Sequence, residues 1–211
     1  MALIDLSHAI HDGLVTYQGL PPVQICDYLT REASRERYTG GGEFQIGRID
    51  MVANTGTYVD VPFHRFADGD DLDRVALDRL AELPAICVDI DELPALRKRS
   101  LRGMAVLVRT GWSRHFGTPA YFRDHPFVPT AEALALRDAG VALVGIDSHN
   151  IDDTATRNER PVHTALLGAG IPICEHMRGL EQLPSDGFVF TAAPPRVVGM
   201  GTFAVRAFAR L

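Results

Sequence analysis

Long apolar runs are missing from this sequence. No window approaches the roughly 18 residues that a membrane-spanning helix needs, and the opening stretch MALIDLSHAIHDG is too broken by acidic and polar residues for a signal peptide. Basic clusters are missing too. With 21 Lys and Arg against 27 Asp and Glu, the formal charge is −6; this excludes nucleic acid as a partner, because phosphate binding needs grouped Lys and Arg. Cysteine is scarce. Cys26, Cys87 and Cys174 are an odd number at long spacings, each beside an isoleucine, and are read as buried thiols of a reducing compartment. The expectation is a cytoplasmic chain that handles a small molecule, with neither membrane nor nucleic acid as partner. The 13 prolines and 19 glycines are dispersed, so no linker divides the chain, and with 46% apolar residues 1–211 reads as one domain with a core.

Apolar, β-branched runs bounded by turn residues predict strands at 3–6, 44–53, 85–90, 104–109, 141–147, 171–174, 187–191 and 202–208. Helical patterns are fewer. They predict helices over 72–82, over 130–139 with Thr130 as N-cap, and over 161–169 with Pro161 at the first helical position. Residues 30–43, TREASRERYTGGGE, read as a surface loop or short helix. The interleaving implies an α/β fold, a mixed sheet with helices packed on it.

Two polar constellations stand out. In NTGTYVDVPFH, residues 54–64, an extended chain would put Tyr58 and Asp60 on one face, and Pro62 would turn His64 back toward Asp60. Such a pair can orient an imidazole for base catalysis or share a divalent metal; Asp60 capping a turn with His64 at the surface fits the same spacing. The second is GIDSHNIDDTATRNERPVHTALLGAGIPICEH, residues 145–176, polar groups gathered between a strand and a helix. The helix opening at Pro161 carries His163 in its first turn, and the strand returning over 171–175 brings Glu175 back near that turn. Asp60, His163 and Glu175 can then ligate one divalent ion with His64 beside it. Cys174 also suggests a thiol nucleophile, but Ile171 and Ile173 place it in a buried strand.

The residues NTGTYVDVPFH resemble the motif His-Thr-Gly-Thr-His-x-Asp-x-Pro-x-His of the metal-dependent cyclase family, which includes bacterial kynurenine formamidase (arylformamidase) and isatin hydrolase. The likeness continues in DLSHAIHDGLVTYQGLPPV near the start, RTGW at 109–112, GIDSHNIDD at 145–153 and PVHTALLGAGIPICE near the end. The resemblance implies a swivelling β/β/α cyclase-like domain with a mixed sheet, a homodimer or homotetramer, and hydrolysis of an aryl formamide, lactam or related acyl compound. It also implies a first metal on two motif histidines and the Asp, and a second on that Asp with the later His and Glu.

Here the two motif histidines are Asn54 and Tyr58. Neutral Asn is a poor zinc ligand, and a Tyr hydroxyl, with an ordinary pKa of about 10, must lose its proton to coordinate well. The residues matching the second site, Asp60, His163 and Glu175, are all present. The expectation is therefore one Zn²⁺ or Mn²⁺ on those three with an open position for water, His64 as general acid/base, and Tyr58 as hydrogen-bond donor to the developing oxyanion. Tyr17, Asn54 and His149 complete the set as substrate-binding candidates; His149 also reads as a solvated loop residue. The other class that fits is a metal-free small-molecule-binding protein or pseudoenzyme of the same fold.

Overall fold

The runs at 85–90, 104–109 and 141–147 show no polar alternation, the pattern of strands covered on both faces. In the computed structural model, which describes residues 2–156 and 159–211, they become the parallel centre of the sheet. In chain order the elements are β1 (Leu3–Asp5), β2 (Gln24–Leu29), α1 (Arg31–Ser34), β3 (Ile46–Asp50), β4 (Tyr58–Asp60), β5 (Leu83–Asp89), β6 (Ala105–Arg109), α2 (Thr130–Asp138), β7 (Leu143–Ile146), α3 (Pro161–Leu167), β8 (Ile173–Glu175), β9 (Phe188–Thr191), β10 (Thr202–Ala204) and β11 (Phe208–Arg210). Among the described residues nine strands form one mixed sheet in the order β1-β11-β9-β5-β6-β7-β8-β4-β10, parallel from β5 to β8 and antiparallel elsewhere.

Period-two alternation sorts the central strands between two cores. Ala85, Cys87, Ala105 and Leu107 face Leu6, Met177 and Phe190 on one side. Ile86, Val88, Val106 and Val108 face the helices, packing with Leu136 of α2 and Val162 and Leu166 of α3. This is the expected mixed α/β architecture, with a curled sheet and helices on one face. No helix among the described residues is long and apolar enough to cross a membrane.

Several expectations change. The run 44–53 is not part of the main sheet: β3 pairs with β2, which the sequence reading missed, in a separate two-stranded ribbon. Cys26 lies on that ribbon and is exposed, whereas Cys87 and Cys174 are buried as expected. Residues 72–82 do not form a helix. The Asp71 carboxylate accepts from the backbone N–H groups of Asp73, Arg74 and Gly199, a turn that competes with helix formation, and only Leu77–Arg79 makes a short 3-10 turn. The run 202–208 splits into β10 and β11, because Val205 N–H bonds Thr57 O and Ala207 N–H bonds Ser7 Oγ between them. Thr130 opens α2 but does not cap it; Pro129 holds the N-cap position. Pro161 does stand at the start of α3.

Candidate active site

One short strand organises the site. On β4, Tyr58 and Asp60 share a face, and the register sets Tyr58 opposite Glu175 of β8 and Asp60 opposite Thr202 of β10. Directly opposed cross-strand side chains meet: the Tyr58 hydroxyl donates to Glu175 Oε2 at 2.6 Å, and the Thr202 hydroxyl donates to Asp60 Oδ1. The rest of the NTGT motif fixes where β4 begins. Thr57 Oγ1 donates to His176 O, and Gly56 N–H donates to Thr16 Oγ1. Gly56 has φ +65°, and a Cβ there would stand 3.1 Å from Ile10 Cγ1, so the turn calls for glycine.

Past Asp60 the chain turns through the 3-10 segment Pro62–His64, led by proline in the first position. His64 Nδ1 then lies 2.8 Å from Thr202 Oγ1 and 3.5 Å from Asp60 Oδ1. Thr202 has a single proton, which it donates to the carboxylate; toward His64 it can only accept. The network thus assigns the proton of neutral His64 to Nδ1 and leaves Nε2 with a free lone pair. Gly201 makes this approach possible, since a Cβ there would sit 2.2 Å from His64 N.

His163 comes from the first turn of α3. Its Nδ1 is 2.7 Å from Asp152 Oδ2, and the same carboxylate accepts from the backbone N–H groups of Val162 and His163. A carboxylate behind an imidazole fixes the tautomer and aims the other nitrogen. That nitrogen, Nε2, is 3.6 Å from Asp60 Oδ2 and 3.8 Å from Glu175 Oε1. Asp60, His64 and His163 each offer one potential ligand atom within 4.8 Å of the other two.

Three buried carboxylates, Asp60, Asp152 and Glu175, therefore surround one buried imidazole. Burial alone would lower the His163 pKa, but the charges and hydrogen bonds of Glu175, Asp152 and Asp60 outweigh it and raise it to about 10. Burial raises the Glu175 carboxyl, and Asp60 adds to that, against the pull of His163 and the Tyr58 hydrogen bond. Asp60 Oδ2 is buried and has no hydrogen-bond partner among the described residues. Its one charged neighbour is the His163 imidazole, 3.6 Å away and beyond hydrogen-bond reach, so the oxygen keeps lone pairs that a divalent ion replacing the His163 proton can take.

The opposite wall is aromatic and polar. Tyr17 OH lies 2.8 Å from Tyr58 OH and accepts from Asn150 Nδ2 at 3.0 Å. Burial, then the charge of Glu175, holds both phenols well above their ordinary pKa. Tyr58 thus keeps its proton and directs it at Glu175, and in this arrangement it is a brace for that carboxylate rather than a free oxyanion donor. His149 is 5% exposed, with burial lowering its pKa to about 4; the solvated-loop reading does not hold, and its ring packs against Tyr17. Tyr17, Asn54, Tyr58, His64, His149 and Glu175 all line one cavity of about 400 Å³, as do Asp60 and His163. Cys174 does not line this cavity but is fully buried in the core with Val59 and Met177, and burial raises its thiol pKa, which removes it as a nucleophile.

Two positioning residues were invisible to sequence reasoning. Asp152 lies in the same polar stretch, 145–176, as His163, yet the spacing does not single it out among the polar residues there as the partner of that ring. Thr202 arrives from a strand 142 residues away from Asp60, and only the sheet register brings it there. The motifs RTGW and GIDSHN prove to brace each other: Thr110 N–H and Oγ1 and Gly111 N–H all donate to Asp147.

Comparison with known proteins places this geometry. A family model described as "Putative cyclase" matches residues 4–153. Kynurenine formamidase of Salinibacter ruber is 30% identical over 220 residues, covering 100% of this chain and 98% of that protein. The Bacillus cereus kynurenine formamidase is 26% identical over 216 residues, covering 98% and 96%. Among solved structures, a potential metal-dependent hydrolase with cyclase activity superimposes with a TM-score of 0.76 at 25% identity, covering 99% of this chain and 96% of that one. Isatin hydrolase A of Ralstonia solanacearum gives 0.79 at 22% identity, covering 99% and 91%, a likeness of fold.

Proposed function

The chain belongs to the cyclase family, and we propose that it is a metal-dependent hydrolase of an aryl formamide, lactam or similar acyl compound, acting on a C–N bond. The observation that carries the reading is Asp60 Oδ2, buried and without a hydrogen bond among the described residues, facing His163 Nε2 across 3.6 Å inside a cluster of three carboxylates. We assign one divalent ion, Zn²⁺ or Mn²⁺, to Asp60, His163 and Glu175, whose Oε1 lies 3.8 Å from His163 Nε2, although the ligand atoms within 4.8 Å of one another are those of Asp60, His163 and His64. Glu175 Oε1 accepts from Ile151 N–H and Oε2 from Tyr58, yet each carboxylate oxygen retains a second lone pair. The residues present do not fit a second ion of the family kind, because Tyr58 keeps its proton and Asn54 offers only an amide.

Bound there, the ion would supply Lewis acidity toward an acyl oxygen and make water a better nucleophile. His64 Nε2 takes a proton from the attacking water and returns it to the leaving nitrogen, while Thr202 and Asp60 hold its ring. Tyr17 and His149 present an aromatic wall to a single-ring substrate, and Asn54 lines the same cavity. The deciding assay is release of formate or amine from N-formyl aromatic amines and from lactams, with and without Zn²⁺ or Mn²⁺. Hydrolysis that follows added metal supports the reading; metal-independent binding of the same compounds without turnover supports a binding protein instead.

The pKa of His163 adds a test that needs no substrate. In the metal-free chain its imidazole is charged at neutral pH, since its pKa is raised to about 10. Metal binding must displace the Nε2 proton. Calorimetry in two buffers of different ionisation enthalpy should show between one and two protons released per ion near pH 7, one from His163 and part of one from Glu175, whose carboxyl is raised to about 7, with affinity rising with pH toward about 10. No release and no pH dependence would remove His163 from the ligand set.

The proposal includes a cytoplasmic homodimer or homotetramer. The β2–β3 ribbon supports assembly: Ile25 and Ile49 face each other across it and are 44% and 51% exposed. A lone two-stranded ribbon is marginal in water, and a second copy would cover its isoleucines. Light scattering should give at least twice the monomer mass, and Ile25→Lys with Ile49→Lys should reduce it; a wild-type monomer mass at micromolar concentration rejects the assembly.

A further inference from the structure

Two buried side chains that the mechanism above leaves unused, Tyr121 and His176, are joined to the site through hydrogen bonds. Neither lines the cavity. His176 Nδ1 lies 2.9 Å from Tyr121 OH and its Nε2 lies 3.3 Å from Tyr17 OH; Tyr17 OH lies 2.8 Å from Tyr58 OH, and Tyr58 donates to Glu175 Oε2 at 2.6 Å. The carboxylate sets the direction of the whole series. Tyr58 has one proton and gives it to Glu175, so toward Tyr17 it can only accept. The single proton of Tyr17 then goes to Tyr58, its nearest acceptor; the His149 carbonyl at 3.2 Å and Glu175 Oε2 at 3.4 Å, the next in reach, only accept as well. His176 Nε2 therefore donates to Tyr17. Its ring is fully buried and has no carboxylate among its hydrogen-bond partners, which favours the neutral imidazole, so Nδ1 is bare and accepts from the Tyr121 hydroxyl. Four hydrogen bonds thus run one way, from Tyr121 to Glu175. The backbone fits the same assignment: His176 has φ +53°, a left-handed conformation costly for a residue with a side chain, and its carbonyl is held by Thr57 Oγ1. Strain of this kind persists where the surroundings over-determine it.

We propose that His176 and Tyr121 are positioning residues that set the polarity of this chain, so that the Tyr58 proton is committed to Glu175 Oε2 and the carboxylate is held in one orientation for the divalent ion. This rests on the assignment of the ion to Glu175 and deepens it. Aligned hydrogen bonds in a buried chain polarise one another, so removing the first donor weakens the last. The effect reaches the ion only through the chain, because neither residue touches a proposed ligand side chain except by way of Tyr17 and Tyr58.

The test is a double-variant cycle on Zn²⁺ affinity, read by competition with a chromophoric chelator, in wild type, Tyr121→Phe, Tyr58→Phe and the double variant. Tyr58→Phe should weaken binding about 10- to 100-fold, and Tyr121→Phe, which deletes one oxygen outside the cavity, about 3- to 10-fold. The double variant should bind no more weakly than Tyr58→Phe alone, since the chain is already cut there. A loss at Tyr121 that is structural only would multiply with the loss at Tyr58. His176→Asn keeps a residue that tolerates the left-handed backbone but reaches at most one of the two phenols; it should lose at least as much affinity as Tyr121→Phe. Effects that multiply, or an affinity unchanged in any of the three single variants, overturn the proposal. Should the protein bind no divalent ion, the ligand assignment fails by itself, and long-range proton–nitrogen NMR of the metal-free chain decides the polarity. A proton on His176 Nε2 with Nδ1 bare supports the chain; a proton on Nδ1 rejects it.

Discussion

Asp60→Ala should lose both its divalent ion and its turnover, with the rate on an aryl formamide falling by more than the roughly 10⁴ that a single general base accounts for. The size of the effect follows from the two jobs of one carboxylate. Its Oδ2 is the buried, unpartnered oxygen that faces His163, and its Oδ1 holds the Thr202 hydroxyl that in turn holds His64. Truncation therefore removes a ligand and releases the base in one step. It also takes one negative charge out of an acidic cluster, so the fold should survive, as thermal unfolding can verify. Elemental analysis of the variant, alongside its turnover with excess metal, checks the claim; an Asp60→Ala protein that keeps one ion or works at more than a tenth of the wild-type rate contradicts it.

His64→Ala should reduce turnover by about 10²–10⁴ and leave the ion in place. Its ring is a third exposed, and its Nδ1 is tied to Thr202 rather than to a buried carboxylate alone, which suits a group that exchanges protons with water. His163, by contrast, is buried, and Asp152 directs its Nε2 inward. The alternative is visible in the same geometry, because His64 also stands within 4.8 Å of the Asp60 and His163 ligand atoms. Metal content separates the two. Loss of the ion from His64→Ala, together with activity, would make His64 a ligand and leave the base unassigned.

Much of this site was legible because its residues sit in short, chemically dense stretches. Period-two spacing put Tyr58 and Asp60 on one face, proline turned His64 back, and the helix–strand return carried Glu175 to His163. The central strands were legible for a similar reason, since covered parallel strands read as unbroken apolar runs. What stayed hidden depends on pairings between distant segments. Thr202 reaches Asp60 only through the β4–β10 register, and Asp152 reaches His163 only through contacts of its carboxylate with the first turn of α3. The helix expected at 72–82 was lost because the Asp71 turn, a local side-chain interaction, overrode propensity, whereas of the ribbon only β2 went unread, the strand at 44–53 being present but paired away from the main sheet. His149 was misjudged as solvated because burial of a loop histidine is decided by the aromatic rings packed on it, and those come from Tyr17, Tyr121 and Phe122.

The central claim is that one ion per chain, held by Asp60, His163 and Glu175 with Asn54 and Tyr58 beside it, suffices for hydrolysis. Titrating metal-free protein with Zn²⁺ or Mn²⁺ while following cleavage of an N-formyl aromatic amine tests it most directly. The account predicts activity that rises linearly and breaks at one equivalent per chain. A break at two equivalents, or no activity at any metal concentration while the substrate binds, would contradict it.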